Sequence, residues 1–182
     1  IPGSLVGSEM CIRDRQSIGH GLSAAPELVI QKSLDVSGGS YWGVYSAVSG
    51  MGTGKLLRLN ENSSVFTDSF FFSAVGNSTF TTSWSGTNYA YINYCFRSIS
   101  GYSKVGTYTG TASANSITTG FEPSFIMIKR TDAAGSWVIM DSARGMGSNA
   151  YALFPDLPAA ESNAWNTAFT STGFTISSAE TW

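Results

Sequence analysis

At 182 residues the chain has room for one large or two small domains, and its formal charge of −2 supplies no basic stripe of the kind nucleic-acid binding needs. Charged residues make up 12% of it against roughly 25% in ordinary domains, while aromatics reach 13% and Gly, Ser, Thr and Asn are abundant, a balance suited to an extracellular or virion surface built from strands. No uninterrupted apolar run approaches the ~18 residues of a membrane-spanning helix.

Residues 1–15 stand apart. The run Gly3-Ser4-Leu5-Val6-Gly7-Ser8-Glu9-Met10-Cys11-Ile12-Arg13-Asp14 resembles a translated sequencing-adapter read, so residues 1–15 are expected to be a non-native scar. Leu5-Val6 is far too short for the apolar core of a signal peptide, and none is expected. With that segment set aside Cys95 is the remaining cysteine, and a single thiol closes no intramolecular disulfide and builds no thiolate metal site. Its expected role is that of a small buried hydrophobe.

From Gln16 onward the chain repeats itself. Gln16-Ser17-Ile18-Gly19-His20-Gly21-Leu22 is answered by Asn115-Ser116-Ile117-Thr118-Thr119-Gly120-Phe121, and Pro26 and Lys32 are answered at a common separation by Pro123 and Lys129. Gly50-Met51-Gly52-Thr53 returns as Gly145-Met146-Gly147-Ser148, and Ser78-Thr79-Phe80-Thr81 as Thr172-Gly173-Phe174-Thr175, the separation shrinking slightly in loops. Drift confined to loops indicates duplication of a domain-sized unit, with a first module over 16–97 and a second over 98–182.

In chain order, Leu28-Val29-Ile30 is a short apolar run after Pro26, as for a strand covered on both faces, and Tyr41 to Ser46 is β-branched and aromatic. Ser33 to Gly39 must turn the chain between them. Tyr89 to Phe96 alternates, with Tyr89, Tyr91, Asn93 and Cys95 facing one way and Ala90, Ile92, Tyr94 and Phe96 the other. The alternating run Tyr102 to Gly110 predicts a strand that opens the second module. Phe125-Ile126-Met127-Ile128 and Trp137 to Asp141 then repeat the earlier pair, joined through Asp132-Ala133-Ala134-Gly135. Leu157 to Ser162, with Pro158 near its start, is the one stretch allowed a single helical turn.

The expected fold is therefore all-β, two tandem β-sandwich or jelly-roll-like modules, each clipped at a chain end: the first lacks its first strand and the second its last. An absent strand leaves a neighbour's edge unpaired and prone to self-association.

Motifs for chemistry are scarce. Gly50-Met51-Gly52-Thr53-Gly54-Lys55-Leu56 suggests a phosphate cradle, but Ser49 and Leu56 stand where a P-loop needs glycine and Ser or Thr. His20 is the single histidine, so nucleophilic catalysis lacks its usual base and metal binding its usual ligands; capping or packing is its expected role. Glu27, Asp35, Asp68, Glu122, Asp132, Asp141 and Asp156 form no pair on one strand face of the kind glycoside cleavage uses. No catalytic residue, metal site or cofactor is expected. Aromatic platforms that stack on sugar rings fit better: Tyr41 and Trp137 read as equivalent positions, with Asp141 on the face of Trp137, and these three are the candidate ligand-binding residues. The competing reading makes both rings core.

Gly19-His20-Gly21-Leu22, Ala25 to Ile30, Tyr89 to Phe96, Gly101 to Gly110 and Thr119 to Trp137 together resemble a tandem repeat module family of tailed, often marine, bacteriophages. In that family such modules lie C-terminal to concanavalin-like domains in virion or tail-associated proteins. The resemblance covers residues 16–182, and its most specific parts are the junction and Lys129-Arg130-Thr131-Asp132. Gly106 to Gly110 departs from it in lacking an Asn-Gly continuation. The resemblance implies a virion setting, extracellular when assembled, and offers no catalytic residues to carry over. The expected function is a non-enzymatic structural or adhesion module whose partner is a host-surface glycan or a neighbouring virion protein. A glycan-degrading tail enzyme and an inert spacer are the alternatives. Neither nucleic acid nor membrane insertion is expected, and the oligomeric state stays open.

Overall fold

Short β-branched and aromatic runs, cut by glycine, serine and asparagine, leave little but strands for this chain to form. The computed structural model describes residues 16–34, 41–68, 71–82, 90–111 and 113–177, and among them it holds strands and no helix. Residues 1–15, and the turn between the first two long strands beyond Leu34, lie outside the described residues.

In the N-terminal half the strands are β1 (Gln16–Gly19), β2 (Leu28–Ser33), β3 (Trp42–Ser46), β4 (Lys55–Arg58), β5 (Phe66–Thr67), β6 (Ala74–Val75), β7 (Thr79–Thr82) and β8 (Tyr91–Phe96). They make a five-stranded sheet in the order β5-β4-β3-β2-β8 and a smaller one, β1-β7-β6, with every pair antiparallel. Strand alternation sends Val29, Tyr45 and Leu56 inward, where they bury with Phe71, Phe72 and Phe80. Gly43 belongs to this packing, because a Cβ there would lie 1.9 Å from Cζ of Phe71. Beside it sits Gln31, 1% exposed, whose Nε2 donates to Asn93 Oδ1 at 2.8 Å and whose Oε1 accepts from Thr82 Oγ1 at 3.4 Å.

In the C-terminal half the strands are β9 (Asn115–Thr118), β10 (Phe125–Ile128), β11 (Val138–Asp141), β12 (Gly147–Ala152), β13 (Ser162–Thr170) and β14 (Gly173–Ile176). The sheet β12-β13-β14-β9 and the ribbon β10-β11 enclose a core of Ile126, Val138, Met140, Ala150, Ala152, Phe174 and Ile176. In each half antiparallel strands thus pack over an apolar core, and the chain as a whole is all-β, consistent with the β-sandwich class. Gly173 allows the closest backbone approach, since a Cβ on it would meet Ile117 O at 1.9 Å.

The pairings of the halves run in step. Ile18 stands opposite Phe80 as Ile117 stands opposite Phe174, and Val29 opposite Tyr45 as Ile126 opposite Met140. Leu57 pairs with Val44, and Leu153 bridges Ile139 in the matching place. After β3 and after β11 the chain turns on left-handed glycines, Gly50 and Gly52 at φ 84° and 107°, Gly145 and Gly147 at 102° and 111°.

The two halves share a third apolar cluster. Ile30, Val44 and Leu57 lie on the face of the five-stranded sheet opposite Phe72 and meet buried Trp137, with Trp42 and Met127 packed around them. Polar ties accompany the contact: Trp137 Nε1 donates to Arg58 O at 2.7 Å, Gly135 N to Asn62 O at 2.8 Å, and Val65 N to Thr131 O at 3.1 Å. Here lies the reason for the apolar runs of β2 and β10: Val29 and Ile126 face their own cores, while Ile30 and Met127 face the other half.

Two expected elements are absent from the described residues. The run over 102–110 forms no strand, only an isolated bridge between Ile99 and Ser103, and Tyr108 packs as a lone aromatic on the C-terminal core. Residues 157–161 make no helical turn, because Pro158 pushes Leu157 out of the helical region and five residues are too few to recover the cost of a helix nucleus.

Candidate functional site

The three residues singled out from the sequence do not form one site. Trp137 is 3% exposed and buried between the halves, so neither ring face is open to a ligand. Nor is Tyr41 its counterpart: extending each register by one pair sets Trp137 opposite Lys129 as Trp42 stands opposite Lys32. The one-residue error arose because the connection between the strands differs in length, and it reversed which face each ring occupied. Tyr41 is half-buried under Arg58, whose guanidinium carbon lies 3.5 Å from the Tyr41 ring centre and 4.5 Å from that of Phe66, with Nη1 held by Glu61 at 2.9 Å. Since the carbonyl of Arg58 also takes the indole N–H of Trp137, Tyr41 and Trp137 converge on one arginine as part of the junction.

Asp141 sits at the far end of β11 and closes the turn that follows. Its Oδ1 accepts from Ala143 N and Arg144 N at 3.1 and 3.0 Å, and its Oδ2 from Arg144 Nε at 2.8 Å. In the first half its place belongs to Ser46.

A different group of residues lines a cleft of about 300 Å³, near the lower bound for a small-ligand site. Phe154 and Trp165 make one wall, with ring centres 6.0 Å apart and planes tilted by 50°. The loop joining β10 to β11 makes the other through Arg130, Ala134, Gly135 and Ser136. Arg130 is held by Asp132, Nε to Oδ1 at 2.8 Å and Nη2 to Oδ2 at 3.2 Å, a fork that fixes the guanidinium plane. That hydrogen bond holds the exposed Asp132 carboxyl below its usual range, so it stays ionised and serves as an acceptor. At the base of the loop Asp156 Oδ1 caps Trp137 N at 3.0 Å, and Lys129 Nζ donates to Arg130 O at 2.7 Å and Asn62 O at 3.3 Å. Burial pulls the Lys129 ammonium below its ordinary pKa; Arg130 adds to this, while Asp156 and Asp132 oppose it.

The arrangement offers an aromatic wall, a guanidinium whose charge is balanced by its Asp132 partner, and backbone groups of a glycine-containing loop. Such a surface suits a neutral hydroxylated ring better than a phosphate, which would call for unpaired cations. Elsewhere His20 bridges a turn, Leu22 N donating to Nδ1 at 3.1 Å and Nε2 lying 3.1 Å from Gly76 O. Glu27 accepts from the backbone N–H of Ser98 at 2.8 Å and from its hydroxyl. Lys55, in the glycine loop, donates to Gly50 O at 2.7 Å. Burial raises the Cys95 thiol pKa, and Cys95 packs against the N-terminal core. Among the described residues no three His, Cys, Asp or Glu side chains gather where they could hold a metal ion, and no helix is long and apolar enough to cross a membrane.

Sequence reasoning weighed Asp132 only as a carboxylate and missed Phe154 and Trp165. Neither residue falls in a stretch that the internal repeat matches, so the repeat gave no signal for them.

The chain belongs to the family described as Domain of unknown function (DUF7483), whose model matches residues 11–182 and so takes in the last residues of the segment read as a scar. No curated protein and no solved structure matches it.

Proposed function

We propose that this chain is a non-enzymatic structural or adhesion module of a bacteriophage virion or tail, and that its C-terminal half holds a sugar unit of a host-surface glycan in the cleft between Trp165 and Arg130. The phage setting rests on the sequence resemblance alone. We read the two halves as tandem copies of one unit, joined near residues 97 and 98, in which the second has acquired the site.

The observation that carries the binding reading is the meeting of Phe154 and Trp165 with Arg130 across one cleft, the guanidinium being held by Asp132. An aromatic face takes the C–H side of a pyranose, and a guanidinium fixed in its plane donates to the ring's hydroxyls. Among the described residues the lining of the cleft contains no carboxylate, whereas glycoside cleavage uses a pair.

A glycan array followed by titration of the whole chain tests this. Neutral oligosaccharides are expected to bind with a Kd near ~1 mM per site, as small open clefts do. Trp165→Ala should weaken binding at least about tenfold, and Arg130→Lys, which loses the fork, by about fivefold. Silence across neutral glycans would support an inert spacer, and release of reducing ends from capsule or lipopolysaccharide would replace adhesion with hydrolysis.

A further inference from the structure

Both edges of β2 are paired, and among the described residues one edge of β10 is not. In the N-terminal half Ala47 N donates to Glu27 O at 2.8 Å, so antiparallel alternation turns the backbone of Leu28, Ile30 and Lys32 away from β3, toward β8. In the C-terminal half Ser142 N donates to Ser124 O at 3.0 Å, and the same alternation turns the N–H and C=O of Phe125 and Met127 away from β11. No strand pairs with that edge among the described residues, and neither N–H has an acceptor there. Phe125, 56% exposed, takes the place of the half-buried Leu28, which lies beside Phe96 of β8.

We propose that the outer edge of β10 is an acceptor site for one more antiparallel strand, supplied by a partner segment that is extended and uncharged, with a small residue opposite Ile126 and an apolar one opposite Ile128. The pattern is read from β8 and then corrected for the second half. Cys95, small, stands opposite Val29, whose place Ile126 takes. Asn93 stands opposite Gln31 because that amide needs a partner, and Thr82 completes the trio. In the C-terminal half Ile128 and Ile176 occupy the places of Gln31 and Thr82, so an asparagine there would bury an amide with nothing to bond. This inference does not depend on the sugar cleft.

The probe is a blocked peptide of residues 90–96 carrying Asn93→Val and Cys95→Ala, added to the whole chain and followed by amide hydrogen exchange. We expect saturable one-to-one binding that slows exchange at Phe125 and Met127 about tenfold. The peptide that keeps Asn93 should bind about five- to tenfold more weakly, and one with Tyr94→Pro not at all. Met127→Pro in the protein removes an outward donor without touching a β10–β11 hydrogen bond and should abolish binding; if that variant does not fold, the peptide series decides alone. The proposal is overturned by no saturable binding, by protection appearing on β2 instead, or by equal affinity for the Val and Asn peptides. Protection of Phe125 and Met127 that grows with protein concentration alone would also overturn it, assigning the edge to a second copy.

Discussion

The halves share a strand register and differ in what fills it. Where the N-terminal sandwich has Gly43 under the ring of Phe71, the C-terminal one has Val138, and where the first buries Gln31 and Thr82, the second has Ile128 and Ile176. At these positions one core is closed by an inserted aromatic and a satisfied polar trio, the other by aliphatic side chains. The comparison shows that backbone pairing tolerates either solution, provided each half keeps its own complementary set.

The largest break in the comparison lies at Trp137, the residue of one half that is buried against the other. Trp137→Ala removes a 3% exposed indole and its bond to Arg58 O, and should cost about 3–5 kcal/mol in denaturant unfolding. Its counterpart Trp42→Ala should cost clearly less, because that ring is half-buried; equal losses would mean that the junction is not anchored from the C-terminal side.

Next is Gly43. Gly43→Val places there the residue type of the other half and drives it into Phe71, with an expected loss of about 1–3 kcal/mol from overpacking. Combining it with Phe71→Ala should recover part of that loss if the two sites are coupled, and a double-mutant cycle measures it. Additive losses would refute the coupling.

A smaller effect is expected at Gln31. Gln31→Leu leaves Asn93 Oδ1 without its donor and should cost about 1–2 kcal/mol, whereas Gln31→Leu with Asn93→Val, closer to the aliphatic filling of the other half, should restore most of it. A double variant as unstable as the single would show that shape, not satisfaction of the amide, holds this corner.

Much of the fold was legible because its signals are local. Proline-led apolar runs, the alternation in β8 and the paired glycine loops gave strands and turns without any tertiary information. The site was not, for a physical reason. The connections before Trp42 and Trp137 differ by two residues, and matching Trp137 to Tyr41 takes up only one of them, which sets the side chain on the opposite face of the sheet. Phe154 and Trp165 reach each other only through the irregular register of β12 on β13, which shifts between Gly147, Ala150 and Ala152. Tyr108 sits in a run that alternates like a strand, yet it anchors an irregular segment by burying one ring against Phe174 at 6.4 Å.

Tyr108 gives the finest test of the contrast, since its one ring ties an irregular segment to the C-terminal core. Burial pushes its phenol from 10.0 up to about 12, so the folded chain keeps that proton to higher pH than the unfolded chain does. Its contribution to stability is complete below pH 10.0 and drains away as pH climbs toward about 12. Tyr108→Phe has no proton to lose, and its stability should fall less steeply than that of the parent across this window when melting is followed at constant ionic strength. Tyr45, raised by burial in the N-terminal core, titrates in both proteins and cancels from the difference. Parallel alkaline slopes would mean that Tyr108 meets solvent freely, and that the segment from Lys104 to Gly110 is not held against the core by its ring.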